Sequence, residues 1–218
     1  MTEIVSSEEG GGAAARSALE RTIARGGVAL FPADGLYGLA CDPLNAKAIA
    51  RIHEIKGRDD GKPSAVLYFS PLALRELLPS LGERTREALG LLLPGPVTAV
   101  VANPEHRYPL ACRAQPAELG VRLIAGPLAG AMCPLFQTSA NVSGEPAPGA
   151  FADVPDGIVT AVDLAIDGGE LTGAPSTVID LTPIESGGGW RLLRAGGLDP
   201  DRAGELLATL QIARIDPA

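Results

Sequence analysis

The sequence predicts an α/β protein built on a mixed β-sheet. Apolar runs of strand length alternate with segments of helical spacing in the first part of the chain, and strand-like runs then cluster towards its end. Strict alternation would favour a doubly wound parallel sheet, whereas the late clustering favours a mixed sheet with flanking helices. The 218 residues, 46% of them hydrophobic, are enough for one packed core.

The first elements follow from local sequence signals. Residues 1–12, which include "SSEEGGG", have little to bury and predict a flexible leader, so 13–218 is expected to be one folded domain. The alanine-rich stretch 13–25 predicts a helix that ends at a glycine pair. "VALF" (28–31) then predicts a short buried strand that leads into the turn "PADG".

The second helix and the later elements follow the same pattern. Ile49, Ile52 and Ile55 recur at helical spacing behind Asn45, which can cap a helix. Further strands are predicted at "SAVLYF", "VTAVVA", "GVRLI", "LFQTS", "GIVTAVDLAI", "PSTVIDL" and "WRLLR", and further helices at "SPLALRELLPS", "RTREALGLLL", "GPLAGAMC" and "DRAGELLATLQIAR".

Charge and cysteine content restrict the class of protein. The formal net charge of −8 argues against a protein that holds nucleic acid mainly by electrostatics, so any RNA contact would need a local basic patch. Cys41, Cys112 and Cys133 are irregularly spaced, which argues against a disulfide framework or structural zinc and favours a reduced, cytoplasmic setting. Neither a signal peptide nor a run of ~18 apolar residues is visible, so no membrane span is predicted.

Several common catalytic motifs are missing. There is no G-x-x-x-x-G-K-[ST] phosphate loop and no G-x-S-x-G elbow. His53 and His106 are the two histidines, which leaves little material for a histidine metal site or a catalytic triad. No protein-held metal site is therefore predicted.

The segment "KGRDDGK" is the first candidate binding site. Once the preceding helix has ended, extended backbone lets Lys56 and Arg58 point the same way, with Lys62 a few residues on. Such cations could clamp an anion. The alternative is a solvated turn in which Asp59 and Asp60 neutralise them.

Three later positions could complete an anion site. Ser139 and Asn141 follow a predicted strand and suit a phosphate or a ribose, although turns are rich in such residues in any case. Ser176 opens a strand, and Arg194 ends one, where it is either a ligand or a surface cap. Arg122 lies within an apolar strand and must face solvent or be paired, because an unpaired buried charge is costly.

Six motifs in order resemble the YrdC-like family, the threonylcarbamoyl-adenylate synthases of tRNA modification, from about residue 15 to about residue 200. They are "FPADGLYGL" for the family's P-T-[DE]-T-x-Y-G-L, "KGRDDGKP" for K-x-R-x(3)-[HK]-P, "LLPGPVT" for W-P-G-P-[LV]-T, "TSANVSG" for S-x-N-x-S-G, "PSTVIDL" for S-T-[VI]-[VI]-D, and "LLRAGG" for R-x-G.

The resemblance implies a fold and a reaction. The fold is a twisted mixed sheet with flanking helices around a deep cationic cavity. In the reaction, ATP, L-threonine and bicarbonate give threonylcarbamoyl-AMP and pyrophosphate, with Mg²⁺ on the triphosphate. A separate transferase then modifies the tRNA. By position, the family's catalytic residues fall on Lys56, Arg58, Ser139 and Asn141; its nucleotide contacts also include Thr98 and Arg194; its amino-acid contacts fall on Asp34, Lys62, Arg122 and Ser176.

The chain departs from the family pattern around the acidic residue. Ala33 and Gly35 stand where the family has two threonines, so hydroxyls that could select threonine are missing. Leu93 replaces the tryptophan of the W-P-G-P segment. A threonylcarbamoyl-AMP synthase is the leading hypothesis. A paralogue that activates a different carbamate or carboxylate with ATP and a non-catalytic RNA-binding module are the alternatives.

Overall fold

A computed structural model describes residues 1–8, 10–57 and 61–215 of the chain. Its strands are β1 (Glu3–Ser6), β2 (Ala29–Pro32), β3 (Tyr37–Cys41), β4 (Ala65–Tyr68), β5 (Val97–Ala102), β6 (Glu118–Leu123), β7 (Leu135–Ser139), β8 (Leu164–Asp167), β9 (Thr177–Asp180) and β10 (Arg191–Arg194). Its helices are α1 (Gly12–Ala24), α2 (Ala46–Ile55), α3 (Pro71–Leu74), α4 (Glu83–Leu92), α5 (Pro109–Cys112), α6 (Asp156–Ala161) and α7 (Pro200–Ala208).

All ten strands form one mixed sheet in the order β1-β8-β2-β3-β7-β4-β6-β5-β9-β10. Four neighbouring pairs are parallel, namely β1 with β8, β8 with β2, β4 with β6 and β5 with β9. The other five pairs are antiparallel. The α/β class with a mixed sheet and flanking helices is thus confirmed.

The two faces of the sheet are covered differently. Alternate side chains of the central strands, such as Val66 and Val121, pack with α2, α4 and α7 in the larger core cluster. The side chains between them face the other way. At the β2 and β8 end of that second face, α1 covers a smaller core that includes Phe31 and Leu164. The rest of the second face is left for a cavity.

The N-terminal segment differs from its prediction. Glu3–Ser6 form the edge strand β1 rather than part of a flexible leader, and the Glu3 N–H donates to the Asp163 carbonyl oxygen at 2.9 Å. Val5 also packs against the smaller core. The segment is ordered because β8 forms hydrogen bonds with its backbone groups. The sequence did not predict this strand, because its partner lies some 160 residues away in the chain.

Other elements also differ from their prediction or were not predicted. The first half of "GIVTAVDLAI" is helix α6, which Pro155 precedes, and only its second half is strand β8. "GPLAGAMC" forms turns instead of a helix, because Gly126 and Gly130 adopt φ of 121° and 92°. Strand β3 was missed because it is buried on both sides and lacks alternation.

Candidate active site

A cavity of about 630 Å³ opens on the face of the sheet that α1 leaves uncovered. Its floor consists of alternate residues from neighbouring strands, and the register aligns Thr98 of β5 with Val178 of β9 and Val100 of β5 with Gly120 of β6. Gly120 is so close to β4 that an added Cβ would lie 3.3 Å from the Cα of Ala65. Small residues in the centre of the floor therefore give the cavity its depth.

A buried ion pair lies in this cavity. Arg122, on β6, donates to Oδ1 of Asp34 and, at 2.7 Å, to Oε1 of Gln137. The side chains of Arg122 and Asp34 are 7% and 17% exposed. Oδ2 of Asp34 and Nε of Arg122 are buried and have no hydrogen-bond partner within the described ranges. Neither charged group is therefore fully satisfied by the described part of the protein.

A second cation faces the same space from β10. Arg194 donates through Nη2 to the carbonyl oxygen of Ser176 at 2.8 Å and to its Oγ at 3.1 Å. The Ser176 hydroxyl, in the residue just before β9, lies 2.8 Å from that of Thr98 on β5, so three neighbouring segments of the sheet meet here. Burial lowers the pKa of Arg194, and the positive charge of Arg122 lowers it further. An anion between the two arginines would relieve this repulsion.

A third group forms where α2 ends beside β7. Asn45 caps the start of the helix by accepting from the N–H groups of Lys47 and Ala48, both at 3.1 Å. At the other end, the buried Lys56 ammonium donates to the carbonyl oxygens of Ser139 at 2.5 Å and Asn141 at 2.8 Å.

The Asn141 side chain completes this third group. Its Oδ1 accepts from Lys56 at 3.2 Å and from the Ser139 hydroxyl at 2.5 Å. Lys56 therefore holds the end of β7 in place.

The structure brings together most of the residues that the sequence singled out. Asp34, Thr98, Arg122, Ser139, Ser176 and Arg194 line the cavity, and Lys56 and Asn141 contact its Ser139 edge. Lys62 is exposed and is not among the described residues of the lining, and Arg58 lies outside the described residues.

Gln137 was missed by the sequence reasoning. It lies two residues before Ser139 on β7, so strand alternation could have placed it on the same face.

The cavity is cationic only locally. Besides Arg122 and Arg194 it is lined by Asp34, Glu118 and Asp180. Asp34 is paired with Arg122, and Asp180 is paired with Arg191 at 3.2 Å. The positive character is therefore concentrated at Arg122 and Arg194.

The two departures around Asp34 face different ways. Ala33 lines the cavity, whereas Gly35 faces the segment before β9. A Cβ on Gly35 would lie 2.0 Å from the carbonyl oxygen of Ala174, and the Gly173 N–H donates to the Gly35 carbonyl at 2.9 Å. Residue 35 is thus a packing position, and residue 33 is the one that can contact a ligand.

Comparison with known proteins assigns the family. A model of the Sua5/YciO/YrdC family, described as "Telomere recombination", matches residues 21–196. The chain belongs to this family. The family resemblance predicted from the six motifs is therefore confirmed.

Several similar proteins share one name. The Threonylcarbamoyl-AMP synthase of Nitrosococcus oceani is 34% identical over 168 residues, which are 73% of this chain and 89% of that protein. The Threonylcarbamoyl-AMP synthase of Pyrococcus abyssi is 31% identical over 199 residues, 87% of this chain. The chain spans only 56% of the length of that second relative.

A solved structure of a family member has the same fold. The crystal structure of P. abyssi Sua5 complexed with L-threonine superposes with a TM-score of 0.80 at 28% identity, and the match covers 99% of this chain and 62% of that chain. The sheet and cavity described above therefore belong to a fold on which an amino-acid complex is known.

The carboxylates of the cavity do not fit a protein-held magnesium ion. Of the three carboxylates in the lining, Asp34 and Asp180 are each engaged by an arginine, and Glu118 alone does not make a site, because within the described ranges no three His, Cys, Asp or Glu side chains group in a way that could hold a metal. Among the same residues, no helix is both long and apolar enough to cross a bilayer.

Proposed function

We propose that this chain is an ATP-dependent synthase that makes threonylcarbamoyl-AMP and pyrophosphate from ATP, L-threonine and bicarbonate. The observation that carries the proposal is the convergence of Arg122 and Arg194 on one cavity of a Sua5/YciO/YrdC protein. The substrates bring a carboxylate, a carbamate and a triphosphate into one place, and two neighbouring arginines provide the positive charge that these groups need. The names of the relatives support the same activity.

The reaction has two bond-forming steps. The threonine ammonium loses a proton, and its nitrogen attacks the bicarbonate carbon, which releases water and leaves a carbamate. A carbamate oxygen then attacks the α-phosphorus of ATP. The bond from that phosphorus to the bridging oxygen breaks, and pyrophosphate leaves. Negative charge therefore develops on the leaving phosphates and on the α-phosphate oxygens.

The Asp34 and Arg122 pair is assigned to the amino acid. An amino acid carries its carboxylate and its ammonium on one carbon, and this pair presents the two complementary charges side by side. Arg122 would bind the carboxylate and Asp34 the ammonium. Each charge-assisted hydrogen bond of this kind contributes about 1.5–3 kcal/mol.

The nucleotide is assigned to the rest of the cavity. Arg194, held by Ser176 beside Thr98, would bind phosphate oxygens, and Lys56 would fix Ser139 and Asn141 at the opposite edge. Groups that are already oriented stabilise developing charge without reorganisation during the reaction. Arg58 and Lys62 are proposed to approach the ligands from the segment after α2, and Mg²⁺ would enter on the ATP phosphates.

The product requires a partner. A mixed anhydride of this type is an activated carbamoyl donor, so a separate transferase would pass the threonylcarbamoyl group to tRNA in the cytoplasm. The net charge of −8 argues against a role as a non-catalytic RNA-binding module.

The test is pyrophosphate release from ATP, L-threonine and bicarbonate, with each substrate omitted in turn. Release should require all three. Arg122→Gln should raise the KM for threonine and Arg194→Gln the KM for ATP, each at least about tenfold, which corresponds to about 1.4 kcal/mol.

Arg202→Gln makes the same chemical change on the exposed face of α7, outside the cavity, and should leave both constants unchanged. Release that is independent of bicarbonate, or equal effects of all three variants, would contradict the proposal.

A further inference from the structure

The turn that carries Asp34, and the segments packed on it, present apolar residues to the cavity. Ala33 and Leu36, from the turn that carries Asp34, both line the cavity. Two further segments pack onto this turn, because the Tyr37 N–H donates to the Pro148 carbonyl at 2.9 Å and the Gly173 N–H to the Gly35 carbonyl at 2.9 Å. These segments add Ala147 and Ala174 to the lining.

Two nearby hydroxyls are already engaged. The phenol of Tyr37 donates to the Gly169 carbonyl and accepts from the Gly168 N–H, both at 2.9 Å. The Ser176 hydroxyl contacts Thr98 and Arg194. Position 35 offers no site for a replacement hydroxyl, since the Ala174 carbonyl occupies the space of its Cβ.

We infer that the amino-acid end of this cavity selects a β-branched side chain by shape and does not recognise a hydroxyl, so that valine is a substrate at least as good as threonine. This inference rests on the proposed function and names its amino-acid class. Valine and threonine have nearly the same shape, and the cavity lining near Asp34 includes the four apolar residues Ala33, Leu36, Ala147 and Ala174. Valylcarbamoyl-AMP would form by the same two steps as the threonine product.

The ratio of kcat/KM for valine to that for threonine distinguishes an apolar pocket from a site that binds the threonine hydroxyl. An apolar pocket prefers valine over its hydroxylated isostere by no more than about 100-fold, whereas a site built to bind a hydroxyl rejects the analogue that lacks it by about 10⁴–10⁵-fold. The measurement is amino-acid-dependent pyrophosphate release with valine, threonine, serine and alanine, compared as kcat/KM. We expect a valine to threonine ratio between about 1 and about 100.

Two substitutions of Ala33 distinguish recognition of the substrate hydroxyl from the effect of a larger side chain. Ala33→Thr restores a hydroxyl facing the cavity and should shift the ratio towards threonine by at least about tenfold. Ala33→Val has the same shape without the hydroxyl and should not produce that shift. ATP affinity and the melting temperature, measured on both variants, identify a variant that is misfolded.

Three outcomes overturn the inference. One is a kcat/KM for valine below that for threonine in the unaltered protein, which would show that a hydroxyl such as that of Ser64 or Thr138 contacts the substrate hydroxyl. Another is an equal shift in the Ala33→Thr and Ala33→Val proteins. If none of the amino acids tested, threonine included, supports pyrophosphate release, the proposed function is wrong and this inference fails with it. If neither variant folds, the ratio in the unaltered protein decides.

Discussion

At the scale of single residues, the site depends on polar groups that are buried and only partly satisfied. The Asp34 and Arg122 pair has lost most of its hydration, yet one oxygen and one nitrogen keep no partner among the described residues. Burying a pair in this way is costly, and an apolar replacement of the same volume is often as stable. The net contribution of the pair to folding stability is therefore expected to be small, which agrees with the ligand role proposed for it.

Tyr37 shows the opposite case, a buried polar group that is fully used inside the protein. Its hydroxyl joins β3 to the loop after β8, and burial raises its pKa from 10.0 to about 12. Below pH 10 the phenol is protonated in both the folded and the unfolded chain. Between pH 10 and 12 the unfolded chain ionises first, so the free energy of unfolding should fall by about 2–3 kcal/mol.

Chemical denaturation at pH 9 to 12 measures this loss, and Tyr37→Phe is the control. The variant should be less stable at pH 9, because two backbone groups lose their partner, and its stability should then decline less steeply. An identical decline in both proteins would assign the pH dependence to other groups, such as the Cys41 thiol, whose pKa burial also raises to about 12.

At the scale of elements, the segment between β8 and β9 forms one wall of the cavity because glycines let it approach. A Cβ on Gly35 would lie 2.0 Å from the Ala174 carbonyl oxygen, and a Cβ on Gly196 would lie 2.3 Å from that of Pro175. Neither obstacle is the end of a flexible side chain, so the backbone itself would have to move. The position of Ser176, and with it the contact to Arg194, depends on these close approaches.

Gly196→Ala should therefore both destabilise the protein and weaken ATP binding. Overpacking of this kind costs about 1–3 kcal/mol. The matched control is Gly90→Ala on α4, where the added Cβ meets nothing within 4 Å, and this change should stabilise the protein by about 0.5–1 kcal/mol. Urea denaturation and ATP titration of both variants provide the comparison. Unchanged ATP affinity in the Gly196→Ala protein would show that the segment between β8 and β9 does not position groups that bind ATP.

At the scale of the whole molecule, one end of the sheet contributes to folding stability and the other end carries the candidate site. Strands β1, β8 and β2 lie towards one end of the sheet, under α1. The cavity lies over the other end, where the strand order is β7-β4-β6-β5-β9-β10. A change at the first end should alter the free energy of unfolding and leave the site intact.

Deleting residues 1–7 tests this separation. The loss of backbone hydrogen bonds such as Ser7 N–H to the Asp167 carbonyl, 2.7 Å long, should cost about 2 kcal/mol and lower the melting temperature by about 4–8 °C. KM values and kcat should not change. Glu3→Gln removes only an exposed ion pair with Arg21 and should cost less than about 1 kcal/mol. A truncated protein as stable as the full chain would mean that β1 is a negligible part of the fold.

Much of the local structure and the family could be predicted from the sequence. Asn45 caps α2 as expected, the isoleucine stripe of α2 is on its buried side, and the six motifs were enough to name the family. These features depend on neighbours within a few residues of one another, and backbone propensity, capping and side-chain periodicity act over that range. Most residues of the candidate site were accessible because they lie within those motifs, whereas Arg122 was accessible as a charge in an apolar strand and Gln137 was missed.

Only the tertiary structure decided which of these residues meet and which way they face. In the folded protein Arg122 pairs with Asp34, Lys56 donates to the end of β7, and β1 pairs with β8. Gly35 packs against the segment before β9, whereas Ala33 lines the cavity. Each of these contacts joins positions far apart in the chain, and the register of a ten-stranded sheet fixes it. The sequence by itself determined the chemical groups, and the packing of distant strands determined what those groups can bind.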